Sequence, residues 1–425
     1  MASDNVDYCL EQLAARGFDH GEVRATLSEK DELQAEFNVP SMLRTVRNQT
    51  LELAGIVNHK KAELTLNKTD PQSVQDAVAQ LWDCASAAPA DAANAIAEAQ
   101  PHQVFTGPAL SPDLNTMCDR LDEFLDHTKS SYPSVTLGMA GVSHLRTRQR
   151  YANSNGVVFD SQRGHYQAQA MFTAKEDHDV SSFSYSGVST YALDKPIAAC
   201  ASFDRLMANS AAQVRTRKIP QKFTGDLIIT PDCVGSFIGF LLGSLSGGPM
   251  ISGTSIYKEG LDTQVGAEML TIRSLPLDMP AGYFVTGDGY PARNVTVVER
   301  GYLRSYLLDL YAARKTGLDR AQTAGGCYAV DAGTQPLAQM LASVERGLLV
   351  SRFSGGKPSD KGDFSGVAKN SFYVESGALA YPISETMISG NLADLLMNIT
   401  AVSIETIDFG SSHYPWIKVS GIGIS

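Results

Sequence analysis

Two residue types that commonly carry metal or redox chemistry are scarce here, with 8 histidines and 6 cysteines in 425 residues. No histidine is followed by glutamate, so the HExxH pattern, which sets two imidazoles and a base on one helix face, is absent. The cysteines stand at 9, 84, 118, 200, 233 and 327, too far apart for a CxxC knuckle or a dense disulfide framework. Charge is also sparse: 19% of residues are charged, and 35 basic against 46 acidic side chains leave a net charge of −11. The first hundred residues hold 16 acids and 8 bases, which provides no electrostatic footprint for nucleic acid. The chain does not open with a basic segment followed by an apolar run, so no signal peptide is read and a reduced, cytoplasmic setting is expected.

Other catalytic templates fail as well. There is no G-x-S-x-G nucleophile elbow. Gly355-Gly356-Lys357-Pro358 lacks the upstream glycine of a phosphate loop, where Ser351 stands, and has proline after the lysine. The 25 residues between Asp232 and Lys258 carry no charge. Thr230-Pro231 reads as a helix start and Gly247-Gly248-Pro249 as its stop. The resulting helix of about 16 residues reaches some 24 Å, short of the ~30 Å hydrocarbon core. It is read as a buried core helix, and no membrane partner is expected.

What the chain does contain is apolar residues, 43% of the total, in alternating and helical patterns. A first helix is expected from Asp4 to Arg16, capped by Ser3 and closed by Gly17. Strands follow at Glu22–Ser28, Glu32–Asn38, Met42–Asn48, Leu51–Val57 and Ala62–Leu66. Helices are expected after Asp70-Pro71 and Ser111-Pro112, then strands from Val135 to Tyr191, a long helix from Lys195 to Gln213 and a basic linker over Arg215–Lys222. In the second half, a strand at 226–230 leads into the uncharged helix, then a β-rich stretch from Gly266 to Tyr311 and a helix from Leu337 to Leu348. Separated β runs with intervening helices define an α+β class. The expected domains are 1–218, of strands and helices, and 219–425, β-rich.

Two patterns invite chemistry. In Val142–Tyr151, period-two alternation puts His144, Arg146, Arg148 and Arg150 on one strand face. The favoured reading is a solvated outer face, and the alternative is contact with an anionic ligand or peptide carboxylate. On the uncharged helix, Gly235, Gly239, Gly243 and Gly247 recur every four residues and so share a face. Close packing is the favoured reading of that stripe, with the bare lining of a peptide channel as the alternative.

Several separated segments together resemble the TldD/PmbA family, whose members were once called modulators of DNA gyrase. They are Gly287-Asp288-Gly289-Tyr290-Pro291, Val298-Glu299-Arg300-Gly301-Tyr302-Leu303, Gly347-Leu348-Leu349-Val350, Gly362-Asp363-Phe364-Ser365-Gly366 and Ile388-Ser389-Gly390-Asn391-Leu392. Tyr151-Ala152-Asn153-Ser154-Asn155-Gly156 agrees more loosely. The resemblance implies a two-domain fold in which two related subunits enclose a cavity where unfolded peptides are cleaved. In TldD-like subunits an HExxxH helix and a Cys near the C-terminus hold zinc; TldE/PmbA-like subunits lack these ligands. At the matching positions this chain reads Gly239-Phe240-Leu241-Leu242-Gly243-Ser244, and Ser411-Ser412-His413 stands where the Cys is expected. A catalytic zinc needs about three protein ligands and an open position for water, and this helix offers neither His nor Glu.

By resemblance, then, the chain is expected to be the non-catalytic subunit of a cytoplasmic TldD/TldE-type peptidase complex. Its partner is a TldD-like subunit or a second copy, its substrate an unfolded peptide, and the zinc belongs to the partner. No catalytic or metal residue is assigned. The cavity candidates carried over by motif are Gly287, Asp288, Gly289, Phe364, Ser365 and Gly366, though Phe364 also suits a core and Ser365 a turn. The rival readings are an independent metallopeptidase with a non-standard metal site and a regulatory protein acting on gyrase.

Overall fold

The computed structural model describes residues 2–384 and 386–425, with residues 2–4 described by backbone alone. The side-chain cap expected from Ser3 therefore lies outside the described residues. Two sheets share the chain in sequence order, the first from residues 20–190 and the second from 223–424.

The first sheet begins with a long hairpin, β1 (His20–Glu36) and β2 (Val39–Val57), followed by β3 (Lys60–Leu66). Phe37 and Asn38 both take positive φ, as a two-residue hairpin turn requires. Four separate strands were expected here, yet each pair is continuous. Ion pairs carry the ladder through the polar middle, Glu29 with Arg47 and Glu32 with Lys30 and Arg44. The sheet is completed by β4 (Gln103–Thr106), β5 (Val135–Asn153), β6 (Val158–Glu176), β7 (Asp179–Val180) and β8 (Ser184–Thr190). Its order is β3-β2-β1-β5-β6-β4, with β7 and β8 also paired to β6.

Helices cover one face of this sheet. At one end, α1 (Ala2–Arg16) and α2 (Pro71–Ala87) bury Val6, Leu13, Val78 and Leu81 against Val23, Leu51 and Leu53. At the other end, α3 (Leu114–Ser131) and α4 (Phe203–Ala212) bury Met117, Phe124 and Phe203 against Val142, Ala168 and Phe172. Asp70 and Asp113 cap α2 and α3 by accepting from the backbone amides of Ser73 and Thr116. The single helix expected over Lys195–Gln213 is instead a 3-10 turn at Ile197–Ala199 followed by α4, because Cys200 is extended and Ala201 takes positive φ.

The second sheet starts with β9 (Phe223–Ile229), then α5 (Pro231–Ser244) and α6 (Gly247–Ser252). The β-rich expectation for Gly266–Tyr311 is corrected to three short strands in a largely irregular stretch: β10 (Ile272–Ser274), β11 (Val295–Glu299) and β12 (Tyr302–Leu303). Pro276, Pro280 and Pro291 fall in the gap between β10 and β11, where they remove ladder donors. Next come α7 (Leu310–Thr316), β13 (Tyr328–Val330), α8 (Leu337–Ala342) and β14 (Arg346–Val350). The helix expected to reach Leu348 stops at Ala342, since residues 347–350 pair parallel with β9. The last elements are β15 (Arg352–Gly355), β16 (Asp363–Lys369), β17 (Phe372–Glu375), β18 (Ala378–Pro382), β19 (Thr386–Asn391), α9 (Leu392–Met397), β20 (Ile399–Asp408) and β21 (His413–Ile424). The long path runs β12-β11-β10-β13-β21-β9-β14-β17-β18, and β15, β16, β19 and β20 extend it beside β21. The helix-free face of the first sheet meets loops of this second unit, through Arg24 with Thr286, Arg163 with Pro280 and Ser189 with Phe409. Among the described residues no helix is long and apolar enough to cross a membrane.

Candidate functional site around helix α5

Helix α5 is apolar on one side only. Cys233, Val234, Phe237, Ile238, Leu241 and Leu242 point into the largest core, following helical spacing. That face satisfies the helix's whole demand for burial. The glycine row lies opposite, and Gly235, Gly239 and Gly243 are exposed. A Cβ built on Gly239 or Gly243 meets no atom within 4 Å, while one on Gly235 rests 3.8 Å from Tyr414. Close packing, the favoured reading of the stripe, therefore holds only at Gly247, in α6, where a Cβ would come within 2.7 Å of the Ala312 methyl. Elsewhere the stripe borders a groove of about 370 Å³, closed by Phe240, Pro249, Thr254 and residues 357–360.

Metal chemistry finds no His, Cys or carboxylate donor over Gly239–Ser244, and Asp232 at the start of the helix is held by Arg205. Gly239 has no side chain, Phe240 packs edge-on to Tyr257, and Ser244 donates its hydroxyl to the Phe240 carbonyl at 2.8 Å. Burial pushes the Cys233 thiol up to about 12, which denies it a thiolate. His413 opens β21, whose next residue, Tyr414, lies against Gly235. Among the described residues no three His, Cys, Asp or Glu side chains are placed to hold a metal ion. A zinc ion does not fit the groups at these positions.

The motif residues fall in two places. Gly287, Asp288 and Gly289 form a turn where the two sheets meet. Arg24 donates to the carbonyls of Thr286 and Gly287, both at 2.9 Å. Gly289 has φ +83, and a Cβ there would lie 2.1 Å from the Tyr151 hydroxyl. Only glycine fits so close an approach in that backbone region. Tyr151 in turn donates to Glu22 at 2.8 Å. Asp288 is clamped by Arg320 at 2.7 and 2.8 Å, by Thr286 at 2.6 Å and by the Leu310 amide at 2.8 Å. Burial alone would raise its pKa, but the hydrogen bonds from Arg320 and Thr286 outweigh it and hold the carboxyl below its ordinary value. Asp288 is thus a saturated structural anchor that also borders a crevice.

Gly287 borders two adjoining crevices between the sheets, of about 240 and 370 Å³. Both are also lined by Glu22 and Glu63; Arg24 and Tyr151 line the first, and Lys61 and Arg320 the second. Sequence reasoning missed these side chains, which lie up to about 300 positions apart in the chain. Only the alternation that places Glu22 and Arg24 on one strand face carried a local signal.

Phe364, Ser365 and Gly366 sit on β16, away from that turn. Phe364 is 6% exposed and packs against Phe237 and Phe353. Ser365 is exposed and pairs across the ladder with Ser389. A Cβ on Gly366 would strike the Phe353 ring at 2.5 Å. This strand supports α5 from its apolar side, and the loop before it, 357–360, forms the groove wall.

The arrangement defines an α+β protein whose second unit is organised around a helix with one bare face. Residues 222–425 match the family described as the PmbA/TldA metallopeptidase C-terminal domain. The chain is 32% identical over 227 residues to metalloprotease PmbA of Escherichia coli O157:H7, covering 50% of each chain. It is 28% identical over 305 residues to a PmbA homolog of Haemophilus influenzae, covering 65% of this chain and 67% of that one. The chain thus spans about half the length of the Escherichia relative. In fold it is similar to TldE from Thermococcus kodakarensis, with TM-score 0.84, 17% identity and full coverage of both chains. A Bacteroides thetaiotaomicron structure carrying the gyrase-modulator name matches with TM-score 0.87 at 17% identity, over 100% of this chain and 98% of that one. The second unit, residues 222–425, thus matches the C-terminal domain of PmbA/TldA metallopeptidases, and the whole chain shares its fold with TldE.

Proposed function

We propose that this chain is the non-catalytic, TldE/PmbA-like subunit of a TldD/TldE-type zinc peptidase complex. A TldD-like partner supplies the zinc and the general base, and this chain completes the cavity and holds the unfolded peptide. A second copy is the other partner considered, and the setting is the cytoplasm. The observation that carries the reading is the face of α5 itself: where the catalytic type keeps its ligands, this helix presents bare glycines to an open groove. A groove wall without side chains, at Gly239 and Gly243, suits close approach of a peptide backbone. Strand β15, which touches α5 through Phe353 and Phe237, pairs among the described residues with β16 alone, which offers its other edge to an added strand. The boundary at 218/219 is supported by the change of sheet between Thr190 and Phe223 and by the family match beginning at 222. Gly287 contributes to the cavity where the two units meet, whereas Phe364, Ser365 and Gly366 act on β16, behind α5.

Metal analysis tests the reading. The purified chain, equilibrated with zinc and desalted, is expected to retain far less than one zinc per chain. Stoichiometric retention would overturn it and favour an independent metallopeptidase.

A further inference from the structure

The proposed peptide groove leaves the arginine stripe of β5 unused. Its register places the stripe on the helix-bearing face of the first sheet, where His144 departs from the expected solvated outer face and Arg148 keeps to it. His144 is fully buried and hydrogen-bonds the Ala109 carbonyl at 2.7 Å. Beyond it the sheet is bare between the α1/α2 patch and the α3/α4 patch. One cross-strand row there reads Arg47, Glu29, Arg146; the next reads Gln49, Leu27, Arg148, Gln162. An open trough of about 250 Å³ lies at Arg148, Arg150, Asp160, Gln162 and Val104.

The charges in this trough do not balance. Arg47 and Arg146 share Glu29, at 3.1 and 3.7 Å. Arg150 meets Asp160 at 3.1 Å and Asp7 at 3.8 Å, and Asp160 is shared again with His102. Arg148 is exposed and has no carboxylate partner among the described residues. The Nε atoms of Arg146 and Arg150 are shielded from solvent and have no hydrogen-bond acceptor. The guanidinium of Arg148 therefore remains available, with Arg146 and Arg150, 23% and 21% exposed, on either side of it at a two-residue interval, about 6.8 Å. An extended peptide repeats its side chains at that same interval. Val104, 67% exposed, adds an apolar contact beside them.

We propose that this trough is a second binding site, for an extended acidic peptide segment whose carboxylates occupy alternate positions along β5. Arg148 is its main anchor, with the part-exposed Arg146 and Arg150 adding positive charge on either side. Charge-assisted, bidentate recognition of carboxylate by arginine supplies the selectivity. A compact phosphate would engage one guanidinium and leave the row and Val104 unused.

Fluorescence anisotropy of the full chain with a labelled peptide of alternating glutamate and valine tests this. Binding is expected, weakening as salt rises. Arg148→Glu, at an exposed position, should cost at least about tenfold in affinity with an unchanged melting curve, and Arg148→Gln should cost less. The glutamine-for-glutamate peptide should not bind. Unchanged affinity in Arg148→Glu, or equal binding of the glutamine peptide, would overturn the proposal. So would displacement of the peptide by inorganic phosphate at equal concentration, which would reveal a simple anion site.

Discussion

Replacing Gly239 and Gly243 together by alanine should stabilise the chain, although glycines spaced this way suggest a packed interface. Each occupies a helix interior, where glycine is about 0.8–1.0 kcal/mol less favourable than alanine. Neither added methyl would meet an atom within 4 Å, so no clash offsets the gain. The pair should therefore contribute about 2 kcal/mol. Urea unfolding of the second unit should show this as a midpoint raised by roughly 0.7–1 M at unchanged slope, for a slope of about 2–3 kcal/mol/M. Gly247→Ala is the internal control, because its methyl would lie 2.7 Å from that of Ala312 and overpacking costs about 1–3 kcal/mol. A destabilised double variant would refute the open groove. A stabilised Gly247→Ala would refute the close contact with Ala312.

Three further outcomes follow from the interface between the sheets. Gly289→Ala combines positive φ with a contact at 2.1 Å from Tyr151 and should cost roughly 3 kcal/mol in denaturant melts. Asp288→Asn breaks the part-buried pair with Arg320 and should cost about 2 kcal/mol at neutral pH. Because its folded pKa lies below the ordinary value, that contribution is complete above the unfolded pKa and disappears as pH falls through the folded one, so the variant's deficit should shrink in acid. His165, 7% exposed, is pushed down to about 4, chiefly by burial and further by Arg163. The unfolded chain then binds the proton more readily, and stability should fall by roughly 3 kcal/mol between pH 6.5 and 4, a slope that His165→Gln should flatten.

The physics of each element explains how much was legible beforehand. Helix α2 was readable from its Asp70 cap and α3 from its apolar row, although the cap of α3 is Asp113 and not the expected start at Ser111-Pro112. The start of α5 was readable from Thr230-Pro231, whereas Gly247-Gly248-Pro249, read as its stop, opens α6 after α5 has ended at Ser244. The end of α8 was not readable either, since pairing of Leu348 with Leu227 overrides a helical pattern through a contact about 120 residues away. The glycine stripe was misjudged for a related reason. Spacing shows that the glycines share a face, but only the packed structure shows that the opposite face takes all the burial. The arginine stripe was placed on one face correctly, whereas the helices that flank it come from other parts of the chain. Arg320, which fixes Asp288 from 32 positions away, has no local signal at all.

The central claim is that this chain completes a peptidase without performing its chemistry. It is tested by cleavage of an unfolded peptide with the chain alone, with a TldD-like partner alone, and with the two mixed, each followed on a sizing column. A co-eluting complex, no cleavage by this chain alone, and a higher rate for the mixture than for the partner are expected. Cleavage by this chain alone, or a partner whose rate and elution do not change on mixing, would contradict the account.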